Sequence, residues 1–278
     1  MTATLHTVEL DLLCSFAEVS APFPLQVPSA GQTTVEQSAI FAGAARTLAE
    51  RGLADASGPL GVAEDFVYLL RRCTGALDMV LTVGERRLGA VLLAFGNEAL
   101  LLRQELTADE PLVRLTPVTL DRGVSSLLAM VPPAEAPMST PFVLPKKAVA
   151  DVFTALTARI PERDDDSTDI PDVTPVSALE MDNLLRECGV DERIVRRMTQ
   201  HLHPITGSGQ IGVSRRIGTE DEWERVGTEL SWLDTPRGRL RLAPDENSTE
   251  PGNWISVNPL PADVLRTEVR KLAAGIGG

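Results

Sequence analysis

Eleven residues near the middle of the chain, Glu162 to Asp172 (ERDDDSTDIPD), constrain the fold most. They hold six acids, one arginine and no apolar cluster. Such a stretch has nothing to bury and reads as a solvated linker. The expected organisation is an N-terminal α+β half, residues 1–161, the acidic linker, residues 162–172, and a C-terminal α+β half, residues 173–278. Just before the linker, Pro132, Pro133, Pro137, Pro141 and Pro145 punctuate a stretch expected to stay irregular. A short amphipathic helix is expected from Lys147 to Ile160.

The two halves follow one plan. In the first, Val35–Arg51 reads as an amphipathic helix closed by Gly52, and Val62–Cys73 as a second helix. Strands are expected at Leu77–Val83, Arg87–Phe95, Ala99–Gln104 and Leu112–Val118, with Gly84, Gly96 and Asn97 among the turns, followed by a helix at Leu120–Val131. In the second half, Ser177 and Glu180 have capping-box spacing for a helix ending at Cys188, and Asp191–Leu202 supplies the next. Strands follow at Gln210–Ile217, Thr228–Asp234, Gly238–Ala243 and Trp254–Val257, and Pro261–Ala274 is a closing helix. Each half is thus an antiparallel β-meander with packed helices, and a repeat of this length suggests a duplicated domain. At the N-terminus, Val8–Leu10 reads as an added strand and Leu12–Val19 as a short helix.

Composition narrows the function. The 278 residues include 39 acidic and 26 basic side chains, for a net charge of -13, which repels phosphate backbones and argues against a nucleic-acid binder. A chain of this size can bury roughly three quarters of its unfolded surface, so its core needs neither disulfides nor a structural metal. The first twenty residues lack a basic leader, and Glu9 and Asp11 interrupt any signal-like apolar run; no apolar stretch is long enough to span a membrane. Cys14, Cys73 and Cys188 are scattered, without disulfide, zinc or redox spacing. The expectation is a cytoplasmic protein without membrane insertion.

No motif points to chemistry. Gly207, Gly209 and Gly212 match G-x-G-x-x-G, but they follow a helix and lead into a strand, the reverse of the order that presents helical N–H groups to a pyrophosphate. They read as a helix stop and tight turn. His201 and His203 close a helix at i and i+2, which do not share a face, and His6 stands apart. Asp164, Asp165 and Asp166 lack the glycine and closing glutamate of a calcium loop. No nucleophile elbow, P-loop or zinc-protease signature is present. Catalytic residues, cofactor and metal are all expected to be none.

Alternation describes the second meander. Leu230 and Trp232 share one face of their strand, with Glu229, Ser231 and Leu233 on the other. Ile211, Val213 and Ile217 lie opposite Ser214 and Arg216, and Leu240 and Leu242 opposite Arg239 and Arg241. Placing each apolar set inward leaves a mixed outer face suited to water or to a protein partner. Trp232 reads as core; Trp223 and Trp254 lie on or beside the same strands.

The run ELSWLDTPRGRLRL followed by NWISV resembles the strand region of the EspG family, the cytoplasmic chaperones of actinobacterial type VII (ESX) secretion, most sharply at Asp234 to Arg239 (DTPRGR). VELD near the start, RGLADASGPLG, LDMVLTVGERRLGAVLLAFG and the acidic break are similar in order and spacing, so the resemblance covers nearly the whole chain. It implies an α+β fold of two similar halves related by quasi-twofold symmetry. It further implies a non-enzymatic chaperone and adaptor that binds the PPE tip of a PE–PPE heterodimer, keeps it soluble and addresses it to its ESX system. The chaperone is then a monomer in that complex, with a homodimer open to the free form. The surface so implied is built from the sheet and a C-terminal helical bundle. The expected contacts are the outer-face positions Ser214, Arg216, Glu229, Ser231, Leu233, Arg239 and Arg241. The alternative is a small-molecule-binding or enzymatic α+β domain using a cleft between the halves.

Overall fold

In the computed structural model, which describes residues 2–147, 150, 179, 183, 186, 191–216, 223–245 and 253–276, strand β1 (Ala3–His6) runs directly into helix α1 (Thr7–Ala17). The expected strand at Val8–Leu10 is instead the first turn of that helix. A capping box explains the difference: the His6 ring accepts the Val8 N–H at 3.3 Å, and the Glu9 carboxylate accepts the His6 N–H at 2.9 Å. Glu9 is buried and fully engaged. It receives Arg51 at 3.0 and 3.1 Å and the Thr47 hydroxyl at 2.9 Å, tying α1 to helix α2 (Thr34–Glu50).

A small hairpin, β2 (Ala54–Asp55) and β3 (Gly58–Pro59), leads to helix α3 (Val62–Arg72). Four strands follow as expected: β4 (Gly75–Val83), β5 (Arg86–Phe95), β6 (Glu98–Glu105) and β7 (Leu112–Thr119), paired antiparallel in succession. Strand β1 joins the outer side of β7, with Leu5 opposite Val113. Helix α4 (Leu120–Met130) then returns over the strands. Later in the chain come β8 (Phe142–Pro145), helix α5 (Glu192–Leu202), β9 (Gly207–Arg216), β10 (Trp223–Thr235), β11 (Gly238–Pro244), β12 (Trp254–Pro259) and helix α6 (Ala262–Ala273). The expected linker, residues 162–172, lies outside the described residues, as do Cys188 and almost all of the expected helices Lys147–Ile160 and Ser177–Cys188.

Two compact units form, and each is discontinuous in sequence. The first comprises Met1–Pro133, Ser208–Leu230 and Asp263–Gly278; the second comprises Ala134–Gly207 and Ser231–Ala262. In the first, the strand order is β1-β7-β6-β5-β4-β9-β10, with β10 represented by residues 223–230. One sheet face carries Ala76, Val91, Leu93, Leu100 and Leu102 against Leu10 and Leu13 of α1 and Phe66 and Leu70 of α3. The opposite face buries Leu77, Met79, Leu92 and Leu101, and Gly123 of α4 lies so close to Leu92 that a Cβ would overlap its methyl groups. Burial on both faces explains why these strands read as continuous apolar runs rather than as simple alternation. Strand β10 starts five residues before its expected beginning at Thr228, because Gly227 adopts φ +72° inside it and breaks the apolar pattern.

The second unit orders its strands β10-β11-β12-β8, with β10 represented by residues 231–235. The proline-rich stretch is not wholly irregular: its end, Phe142–Pro145, is edge strand β8, where a proline without an N–H is tolerated. Helix α5 packs Val195, Met198 and Leu202 onto Leu144, Leu233, Leu240 and Val257.

The β10–β11 corner is DTPRGR. Pro236 and Arg237 form a two-residue turn between the paired Thr235 and Gly238. The Arg237 N–H bonds the Thr235 hydroxyl at 3.2 Å, while that hydroxyl donates to the Gly238 carbonyl at 3.0 Å. Gly238 has φ +128°, and a Cβ there would overlap the Glu135 carbonyl and Pro137. Gly238→Ala is therefore expected to lower stability by more than about 1 kcal/mol, read as a fall in the urea midpoint. An unchanged midpoint would show that this corner relaxes freely.

Candidate functional site

The seven expected contact positions separate into distinct environments. In the first unit, Ser214 is buried, and its hydroxyl donates to Asp78 Oδ2 at 2.8 Å. Arg225 donates from Nη1 to Oδ2 of the same carboxylate at 2.7 Å, and its Nη2 stands 2.7 Å from Oδ1 as an ion pair without hydrogen-bond geometry. Glu229, half-exposed, lies 3.7 Å from Arg225 Nε and accepts from Gln210 at 2.5 Å. Ser214 and Glu229 are thus brought together through Asp78 and Arg225, two residues the sequence reading missed. Gly212 was their one signal: a side chain there would overlap the Arg225 guanidinium.

That finding revises the glycine run. Gly207, Gly209 and Gly212 lie inside β9 rather than in a helix stop and turn, and none has positive φ. The need at Gly212 is room for an arginine.

Arg216, also in the first unit, is bound to the backbone. Its Nη2 donates to the Arg71 and Cys73 carbonyls at 2.7 and 2.9 Å, and its guanidinium carbon stands 6.0 Å from the Trp223 ring centroid. Trp223 in turn donates to the Ser20 carbonyl at 2.9 Å.

In the second unit the expected common outer face does not exist. Leu233 pairs opposite Leu240, and Trp232 opposite Arg241. Directly opposed residues share a face, so Ser231 and Leu233 lie on the α5 side with Leu240 and Leu242, whereas Arg239 and Arg241 lie with Trp232. Alternation was correct within each strand; the phase between strands was not. Leu233 is in the core, and Arg239 is only 2% exposed. Arg239 forks onto Asp234 at 2.6 and 2.9 Å and stacks 5.6 Å from the Trp232 ring centroid. Ser231 and Arg241 are half-buried.

Electrostatics follow burial. Removal from water pushes the Asp78 carboxyl above its ordinary value, against the opposing pull of Arg225 and Ser214. Cys14 and Cys73 are buried and their thiols are pushed up to about 12, chiefly by desolvation, which leaves almost no reactive thiolate. Among the described residues, no three His, Cys, Asp or Glu groups gather to hold a metal, and no helix is long and apolar enough to cross a membrane. His6 caps α1, and His201 tilts against Phe142 with centroids 5.3 Å apart.

Comparison with known proteins agrees with the architecture. The model of the EspG family matches residues 6–271. The solved structure of the Mycobacterium tuberculosis type VII secretion system chaperone EspG5, in complex with a PE25-PPE41 dimer, is similar at TM-score 0.60 and 11% identity, covering 99% of this chain and 97% of that one. HtdX of Mycobacterium tuberculosis aligns over 93% of this chain and 99% of its own at 10% identity, with a TM-score of 0.14. No curated protein matches at the sequence level.

Two outcomes test these environments. Because the folded Asp78 holds its proton more readily than the unfolded side chain, its contribution to stability is fully present below the ordinary value of 3.8 and is lost as pH rises through the raised one. The difference in urea midpoint, wild type minus Asp78→Asn, should therefore grow in favour of wild type as pH falls from neutral; a flat difference contradicts the assignment. In a Cys188→Ser background, the two remaining thiols should react with Ellman's reagent only on unfolding, and rapid labelling of the native protein would refute their burial.

Proposed function

The chain belongs to the EspG family, and on that premise we propose that it is a type VII secretion chaperone that binds a PE–PPE heterodimer through its PPE subunit. The supporting observation is the family match over residues 6–271, joined to an end-to-end likeness of fold with EspG5. The work proposed is a holdase's. Covering about 800 Å² on each partner is enough for a specific complex, and it removes an aggregation-prone patch without ATP or a cofactor. The chain acts in the cytoplasm, as one copy per complex, and delivers its cargo to the matching ESX system.

The proposed contacts are the strand positions that retain exposed surface: Arg216 and Glu229 in the first unit and, on opposite faces of the second, Ser231 and Arg241. Ser214, Leu233 and Arg239 hold those strands in place from within. Glu229 is the cleanest test, since 39% of its side chain is exposed, whereas Arg216 bridges two backbone carbonyls and its loss would disturb folding.

Co-expression with candidate PE–PPE pairs, followed by size-exclusion chromatography, should yield a soluble three-chain complex with one copy of each subunit. Glu229→Gln, which can still accept from Gln210, should weaken it about threefold, the scale of a lost exposed charge contact, while leaving the thermal midpoint nearly unchanged. If no pair gains solubility and a metabolite instead raises the melting temperature, the small-molecule reading replaces this one. Unchanged affinity in the variant moves the interface away from β10.

A further inference from the structure

We propose that the exposed stripe of α3 in the first unit, together with Phe16 and Phe95, is a docking surface for an acidic segment of a partner protein, separate from the PE–PPE contacts proposed above. Tyr68, Arg71 and Arg72 project from the last two turns of this helix. The Arg72 guanidinium lies 5.1 Å from the centroid of Phe95, Arg71 lies 5.3 Å from that of Phe16, and Tyr68 meets Phe95 edge-on with centroids 6.4 Å apart. All three rings are exposed: Phe16 by 47%, Tyr68 by 42% and Phe95 by 36%. Only 4% of the chain is aromatic, so this grouping is a concentrated use of scarce residues.

The counterions identify the partner. Arg71 donates to the Phe16 and Ala17 carbonyls, and the Arg72 side chain makes only its ring contact; among the described residues neither meets a carboxylate. Elsewhere in the chain Arg225 and Arg239 are each ion-paired with an aspartate. A guanidinium placed over a ring is pre-organised and weakly hydrated yet keeps its charge and, at Arg72, its donors for a carboxylate, and Arg with Tyr is the composition of interface hot spots. The complementary ligand is therefore acidic.

The same surface has a direction. Tyr68 also borders a cavity of about 320 Å³ lined by the apolar Leu69, Ala99 and Val118 and by Asp65, with Glu98 at the edge where it pairs opposite Phe95. Asp65, seven residues before Arg72 on the same helix, disfavours acids at the cavity end, so the segment lays its acids over Arg71 and Arg72 and an apolar side chain into the cavity. A protein segment is favoured over a nucleic acid or an anionic membrane because the chain's charge of -13 opposes approach to an extended polyanion, whereas a short motif meets only the local arginines.

Fluorescence anisotropy of the full chain with the labelled peptide Asp-Glu-Asp-Glu-Gly-Leu tests this. Binding should weaken as salt is raised and vanish for the Asn/Gln analogue. Arg72→Glu, which removes no hydrogen bond, should lower affinity about tenfold at an unchanged thermal midpoint. Tyr68→Ala should weaken the leucine-ended peptide but not its all-glycine-ended counterpart. Equal binding by Arg72→Glu, equal binding of the neutral analogue, or Arg72-dependent binding of phosphatidylglycerol vesicles or single-stranded DNA in place of the peptide would overturn the proposal. None of these readouts uses a PE–PPE protein, so failure here leaves the chaperone reading standing, and failure of that reading leaves this one testable.

Discussion

The first unit depends on one buried ion pair, Asp78 with Arg225. Asp78 sits in β4, among strands otherwise apolar on both faces, where an unpaired carboxylate costs several kcal/mol. Its partners, Ser214 and Arg225, are more than 130 residues further along the chain. Only if β9 and β10 return to β4 is the charge satisfied, and only if residue 212 is glycine does the guanidinium have room. Slipping β9 by one residue would turn Ser214 to the other face and expose a mismatch at once. The pair thus selects register more than it adds stability, and it ties residues 208–230 to the strands contributed by the first 133 residues.

What could be read from the sequence follows from the range of the interaction. Helices α2 to α6 and the β4–β7 meander are written in local periodicity and in short turns, and their expected bounds agree with the observed ones within a few residues. The N-terminal strand escaped because its partner, β7, lies about 110 residues away and its own four residues carry no alternation. Edge strand β8 escaped because prolines ordinarily signal loops, and nothing local says that β12 will lie beside it. Pairing across such distances is invisible to any window of ten residues.

The candidate interface shows the same limit more sharply. Within DTPRGRLRL, charged residues alternate with apolar ones and read naturally as outward-facing. Yet Asp234 and Arg239 face each other across the hairpin and bury one another, while Leu233 turns toward α5. The DTPRGR stretch is therefore a structural corner, held by an ion pair, a tryptophan beside the guanidinium and a glycine that admits no side chain.

Arginine carries this distinction through the whole molecule. Arg225 and Arg239 are neutralised by aspartates and serve the fold; Arg71 and Arg72 rest on rings, at the surface, with no described carboxylate in reach. The sequence gives all four the same letter and places them alike at the ends or edges of apolar runs. Only the three-dimensional neighbour decides the role. A carboxylate partner removes the guanidinium from further use, whereas a ring partner holds its position and leaves its charge unneutralised. In a chain with 39 acidic and 26 basic side chains, such unneutralised positive charge is the scarcer resource, and its position is the best physical guide to where an acidic partner can approach.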